Sequence, residues 1–481
     1  HRCTKLAQAG DICIVSVPLC SLESLAGEPS VVRIEASAPA SVTMDTTRLI
    51  VNAMPAYEPT VRHQAYTGAG VVVGLVDVGF DMTHPTFFNA AGNQFRVGAF
   101  WDQLSRDTVG SNLPVGCDYV GYEAVLAQQH SVDAKTQSHG NHTTGIAAGG
   151  GYTTPYRGMA YESDLCLVSN AVSSDIEYVD SADYYKYTSA TDALGFKYLF
   201  DYADSKGKPC VVSFSEGYTP YLDEEDSLYA AFIDSLVSVP GHVFVASAGN
   251  EGLLKTYIEK PAGLNQVGAF ILSSEKEAAC KIKANGPLDI FLHFYDRATG
   301  KADTTLAVSS ADSRLDSLLV DSLLWDNDTC IVRIERYPSS FGKDDFFYFV
   351  ALSASSKRLS EIPLLALAVA ATDTHVEVYG NSKLSFTDSA VDERWNAAAY
   401  GHNILAPGCF AAAICVGSTS HRSNVMNYKG VYKTVGPSAG DGLYSKFSSS
   451  GPSMNGLTKP DVTAPGLNIV SSYSRYYLDQ H

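Results

Sequence analysis

The segment GAGVVVGLVDVGF (68–80) limits the fold of this 481-residue chain more than any other stretch. Val71, Val72, Val73, Leu75 and Val76 form a short continuous apolar run bounded by glycines. That is the pattern of a strand buried on both faces, as in a parallel sheet covered by helices. Asp77 closes the run. A carboxylate at the tip of a buried strand is costly unless paired, so Asp77 either caps its own loop or serves a site. GHVFVASAGNEG (241–252) repeats the design. Val243, Phe244, Val245 and Ala246 give a second buried strand, and a Gly-Asn turn carries Asn250 off its end. In open α/β sheets, functional groups gather just beyond the carboxyl ends of the strands.

Between the two lies SHGNHTTGIAAGG (138–150), which reads as a helix with His139 in its first turn. Gly140, Gly145 and Gly149 are poor choices there, since an interior Gly costs about 1 kcal/mol against Ala. Such a helix is tolerable where neighbours press closely on it. Alone, it is compatible with a Gly/Ala helix bearing an incidental histidine. With Asp77 and Asn250, it delivers a third polar group to one edge of the sheet.

In this order the three segments resemble the subtilisin-type serine peptidases, whose triad also runs Asp before His. The resemblance implies that Asp77 orients and stabilises the imidazole of His139. His139 would act as general base towards a serine, then as acid towards the leaving amine. Asn250 would donate its amide to the oxyanion. Asn141 stands where the family usually has Thr in its HGTH signature; both hydrogen-bond locally, so the change does not disable the site. His142 is read as structural. KPCVVSFSEG (208–217) resembles the strand that pairs with the substrate backbone and borders the first specificity pocket, with Ser215, Glu216 and Gly217 in that place. A glycine lets a peptide approach the backbone. Glu216 replaces a residue that is apolar in relatives and suggests a basic preference. YSKFSSSGPSMNGLTKPDVTAPGLNIVSS (444–472) matches the family's FSS-x-GP and KPDV-x-APG blocks and is the most specific match.

The family's nucleophile sits in a GTSMA run after the second block, and residues 473–481 contain no such run. Ser453, in Gly451-Pro452-Ser453-Met454, precedes KPDVTAPG. The proline before it also restricts the turn and removes a donor. The expectation is a nucleophile beyond residue 481, on a longer natural chain or on a separate C-terminal segment acting as partner, with residues 1–481 alone inactive. In the family the serine opens an apolar helix through the domain. Losing it would expose several large side chains, each worth about 1.5–3 kcal/mol, against a total stability of about 5–15 kcal/mol. A degenerate relative that replaced this helix is a third option.

The fold expected is α/β: a subtilisin-like parallel sheet flanked by helices, with an inserted β-sandwich of jelly-roll type and a small N-terminal propeptide-like unit. Residues 1–50 hold that unit, built from DICIVSVPL, SLESLAG and SVVRIEAS; an extension merely packed on the domain is the plainer alternative. Residues 57–257 carry the first part of the core. Within them FRVGAFWDQ (95–103) is similar to a bacterial branch of the family found in Bacteroides and among clostridial spore-germination proteases. Residues 258–400 form the insert, in which LDIFLHFYD (288–296) puts Ile290, Leu292 and Phe294 on one face and Phe291 and Tyr295 on the other. Residues 401–481 resume the core.

A formal net charge of −18 argues against nucleic acid or an anionic membrane surface as partner. It suits a secreted or cell-envelope hydrolase acting on proteins or peptides. No stretch approaches the roughly 20 apolar residues that span a bilayer; IPLLALAVAA (362–371) reads as a strand or core segment. No metal site and no required cofactor is read from the sequence. Calcium is compatible with DEED (223–226), although a solvated helix N-terminus explains that run more economically. The ten cysteines show no zinc spacing and are expected to be mostly free, buried thiols. Two functions remain open: a serine endopeptidase, or a catalytically inactive pseudoprotease serving as a binding or signalling module. Retention of both Asp77 and His139 favours the enzyme. A weaker idea makes the N-terminal unit an attached inhibitor.

Overall fold

Side-chain alternation along the central strand sets the layering. Val72 and Val76 face one way and Val73 and Leu75 the other, and all four are buried. The structure, a computed structural model, describes the chain apart from residues 1–2, 10–11, 33, 35–45, 62, 108–109, 153, 155, 176, 220–223, 326–327, 340–344, 362–363, 427–430 and 436–439. Two compact units are present, His1–Thr43 and Met44–His481. In the first, strands Thr4–Ala9 and Ile12–Ser16 pair antiparallel, and a helix spans Leu22–Ala26. Half of SVVRIEAS (30–37), residues 33 and 35–37, lies outside the described residues.

The second unit holds the expected sheet. Among the described residues it has eight strands, in the spatial order Val462–Leu467, Ile414–Ser420, His242–Ser247, Cys210–Phe214, Val72–Asp77, Asp164–Ser169, Val97–Asp102 and Cys117–Val120. Neighbours run parallel except for the last pair. Val72 and Val76 share a core with Phe196, Leu199 and Phe200 of the helix Ser189–Ser205, and with Ile233 of the helix Glu224–Val237. Val73 and Leu75 share the opposite core with Phe80, Phe100, Leu167 and Ala148, the last from the helix His139–Ala148. Helices therefore cover both faces, which is why the central strand is apolar without alternation.

Register then aligns the strand ends. Val76 is level with Phe214, and Phe214 with Ala246. Asp77, Ser215 and Ser247 follow one step later, so the loops that bear the candidate residues leave the same carboxyl edge.

From Lys255 to Tyr400 the chain builds an antiparallel sheet of twelve strands. Ile290, Leu292 and Phe294 lie in its core, on one face as their alternation predicts. Phe291 and Tyr295 pack on the other face with Phe270 and Trp395. Leu292 and Leu367 from one half of the strand order share a core with Val332 and Val350 from the other, so the sheet curls over itself. Leu364–Ala370 is one of its strands, in agreement with the reading of IPLLALAVAA. Tyr257, Phe347 and Tyr379 of this insert belong to the same apolar core as Phe214 and Phe244 of the parallel sheet. No described helix is long and apolar enough to cross a membrane.

Candidate active site

Asp77 ends its strand with its side chain almost wholly buried. The carboxylate is satisfied three times. Oδ1 accepts the Val78 N–H at 2.7 Å and faces His139 Nδ1 at 2.6 Å. Oδ2 accepts the Thr143 hydroxyl at 2.8 Å. These bonds meet the requirement that a buried carboxylate be paired. His139 opens its helix, and its side chain stays 49% exposed while Nδ1 points inward. Among the described residues, Nε2 has no hydrogen-bond partner. The hydrogen bond that His139 donates to Asp77 raises the imidazole pKa, burial works against it, and the negative charge of Asp77 adds to the rise. An imidazole so held keeps one tautomer and presents its other nitrogen outward.

The positioning of His139 explains the glycines around it. Gly79 has φ +77°, and a Cβ there would lie 2.3 Å from the Gln137 carbonyl carbon. A Cβ on Gly140 would meet the Phe80 ring at 2.6 Å. The amides of Gly140 and Asn141 donate to the Val78 and Gly79 carbonyls. Asn141, fully buried, accepts the Asp81 N–H at 2.9 Å on its side-chain oxygen. Across the helix, Ser471 and Ser472 donate to the carbonyls of His142 and Asn141, each at 2.8 Å. His142 lies edge-on to Tyr473 and close to the Ile469 carbonyl.

Asn250 is exposed, on a turn clamped by the FSS-x-GP block. Ser449 donates its amide to the Gly249 carbonyl at 3.0 Å and accepts the Glu251 N–H on its hydroxyl at 2.9 Å. Asn403 braces the same turn, donating to the Glu251 carbonyl and accepting the Ser450 N–H. Lys459 and Asp461 of KPDV pair at 2.7 Å, and Asp461 accepts the Cys415 N–H, which fixes the next strand. Two stretches some 200 residues apart thus hold one turn, a spacing given by Glu251 and Ser449. Ser453 is buried, with its hydroxyl on Asn455 and near the Leu457 carbonyl. A hydroxyl so engaged is poorly placed to attack a substrate.

Ser215, Glu216 and Gly217 continue from Phe214 at the same edge. Tyr218 exchanges backbone hydrogen bonds with Ala406, and a Cβ on Gly217 would lie 2.7 Å from the Ala406 carbonyl oxygen. The lack of a side chain at Gly217 is therefore already used by the protein's own backbone. Glu216 accepts the Asn170 amide at 2.6 Å. Its pKa is pushed well above the usual carboxylate range, first by burial and then by the charge of Asp77. More acids crowd this edge. Burial raises Asp133 to about 8, with Asp102 adding to the rise. Burial likewise raises Asp102 and Asp192 to about 6 each.

The profile of the subtilase family, peptidase S8, matches residues 68–480. The chain belongs to the subtilase family. C5a peptidase of Streptococcus pyogenes serotype M3 is 23% identical over 436 residues, covering 87% of this chain and 34% of that protein. The serotype M1 C5a peptidase is 22% identical over 439 residues, covering 87% and 33%. The chain thus spans about a third of the length of these relatives. The structure of the Clostridium perfringens CspB protease superposes with a TM-score of 0.62 at 19% identity, covering 85% of this chain and 79% of that one, and shows the same fold.

In this subtilase, two side chains that sequence reasoning missed join the site. Thr143 follows His139 by four residues, and helical periodicity puts both on one face. Asn170 follows the strand Asp164–Ser169, donates its backbone amide to the Asp77 carbonyl and its side chain to Glu216 and Asp192. It too is a polar residue just past an apolar strand, the signal that exposed Asp77. Among the described residues, no three His, Cys, Asp or Glu side chains are grouped so as to share a metal ion. The side chains of DEED (223–226) lie outside the described residues. Cys166, Cys210, Cys280, Cys330 and Cys415 are free and buried. Burial pushes the thiols of Cys210, Cys280 and Cys415 up to about 12, so they behave as small apolar groups.

Proposed function

We propose that this subtilase is a serine endopeptidase that cleaves proteins or peptides with Asp77, His139 and a serine outside residues 1–481. The observation that carries the reading is the 2.6 Å contact between Asp77 Oδ1 and His139 Nδ1, on an imidazole whose side chain is half exposed. In this proposal His139 Nε2 takes the proton of the serine hydroxyl as its oxygen attacks the scissile carbonyl. Asp77 stabilises the imidazolium that forms. The Asn250 amide faces the oxyanion of the tetrahedral intermediate. His139 then returns the proton to the leaving amine, and water hydrolyses the acyl-enzyme by the same relay. The buried, engaged hydroxyl of Ser453 supports a nucleophile elsewhere, on the natural chain or on a separate segment that docks beside the helix of His139. Ser215, Glu216 and Gly217 are proposed to border the substrate, with Gly217 acting through its backbone. The C5a peptidases are named for a protein substrate, which supports a protein or large peptide as the substrate class. A secreted or cell-envelope location belongs to the same proposal.

The test is hydrolysis of a fluorogenic peptide library by protein that includes the serine-bearing segment. His139→Ala should lower kcat by about 10⁵–10⁶-fold with folding intact. Folded wild-type protein that binds peptides without cleaving them would make the chain a binding module instead.

A further inference from the structure

The two oxygens of the Asp77 carboxylate have different partners. Oδ1 faces His139 and the Val78 amide; Oδ2 accepts the Thr143 hydroxyl at 2.8 Å, its one hydrogen bond among the described residues. The hydroxyl has a single proton to give. The Gly140 carbonyl stands farther off, at 3.2 Å. An ionised acceptor at the shorter distance makes the stronger bond. Thr143 and His139 lie one turn apart on the same helix, so one rigid element carries both side-chain partners of the Asp77 carboxylate.

We propose that Thr143 is a positioning residue: its hydroxyl pins Oδ2 and so fixes the plane in which Oδ1 meets His139. The inference rests on the relay proposed above and goes one residue beyond it. A carboxylate turns easily about its last torsion, which is broad and roughly two-fold. Without the hydroxyl, Asp77 can swing out of that plane. The Oδ1–Nδ1 hydrogen bond that holds the imidazole pKa up is then weaker, and the imidazolium loses stability. The other titratable groups acting on the pair are Glu216, through Asp77, and His142, through His139; neither is altered by a change at position 143.

The experiment compares Thr143→Val with Thr143→Ser. One readout is the NMR pH titration of the His139 ring in the folded chain. The other is the pH profile of peptide hydrolysis by protein carrying the serine-bearing segment. Thr143→Val should lower the His139 pKa by about half to one unit and lower kcat by about 3–30-fold, the range expected for one charge-assisted hydrogen bond. KM should stay within about twofold, because the lost interaction is not with substrate. Thr143→Ser should restore both values. Should Thr143→Val fold with an unchanged His139 titration and full activity, the inference is overturned while the peptidase reading stands. A His139 titration shifted in Thr143→Val, together with a wild-type protein that hydrolyses nothing, would do the reverse, supporting Thr143 and removing the peptidase.

Discussion

In the proposed relay His139 has to be neutral to accept a proton, so the direction of its pKa shift would set the acid limb of activity. Its hydrogen bond to Asp77 raises the pKa, and burial only partly opposes this. Activity should therefore rise with pH through an apparent pKa above the ordinary imidazole value of about 6.5. Asp77→Asn removes the cause, so the acid limb should move to lower pH while kcat falls by about 10⁴-fold. An acid limb unmoved in that variant would separate His139 from Asp77. Asn250→Ala should lower kcat by about 10²–10³-fold and leave KM nearly unchanged, since an oxyanion donor acts on the transition state. A change confined to KM would reassign Asn250 to ground-state binding. At this scale Asp77, His139 and Asn250 were legible because a polar group closing an apolar strand, or opening a glycine-rich helix, needs a reason. Thr143 was not, because a threonine inside a helix looks like an ordinary β-branched residue until its turn is aligned with a neighbouring carboxylate.

Helix His139–Ala148 owes its place to what its neighbours lack. Gly79 combines φ +77° with backbone at 2.3 Å from a would-be Cβ. Its carbonyl also accepts the amide of Asn141, in the helix that His139 opens. Gly79→Ala should therefore destabilise by about 1–3 kcal/mol or more, from left-handed strain and overpacking together. In urea this appears as a lower midpoint at unchanged slope. A midpoint equal to wild type would show that the turn relaxes freely. The glycines, the two apolar strands and the alternation of Ile290, Leu292 and Phe294 could be read because each pattern is local. The hairpin Thr4–Ala9 with Ile12–Ser16 was only half visible, since DICIVSVPL shows one strand and the polar TKLAQA hides the other. The pairing order of the insert could not be read at all. Leu364–Ala370 sits between Asp289–Tyr295 and Gln266–Leu272, partners about 75 and 100 residues away, and nothing in a local pattern encodes such distances.

Across the whole molecule, the acids at the sheet edge make stability depend on pH in a definite direction. Asp133 is raised to about 8, and Asp102 and Asp192 to about 6 each, by burial. Their unfolded values lie near 4. Between those limits the folded state holds protons that the unfolded state has released, so stability falls as pH rises, by about 1.4 kcal/mol per pH unit for each group. His139 acts in the same direction, because a raised imidazole pKa stabilises below its unfolded value and ceases to do so above its folded one. Urea midpoints should decline from pH 5 to pH 8, and Asp133→Asn should flatten the decline. A midpoint that climbs over this range would mean that these acids are ionised in the folded protein. Composition showed the excess of acid but not where it is buried, since Asp102, Asp133 and Asp192 come from a strand, a turn and a helix joined only by the fold. The claim on which all scales depend is that Asp77 and His139 activate a serine that residues 1–481 do not include. Its most direct test is reaction of the protein carrying the serine-bearing segment with a fluorophosphonate, followed by mass-spectrometric mapping. A single adduct on a serine beyond residue 481, absent in His139→Ala, is the predicted result; a folded protein without an adduct, or one labelled at Ser453, would contradict it.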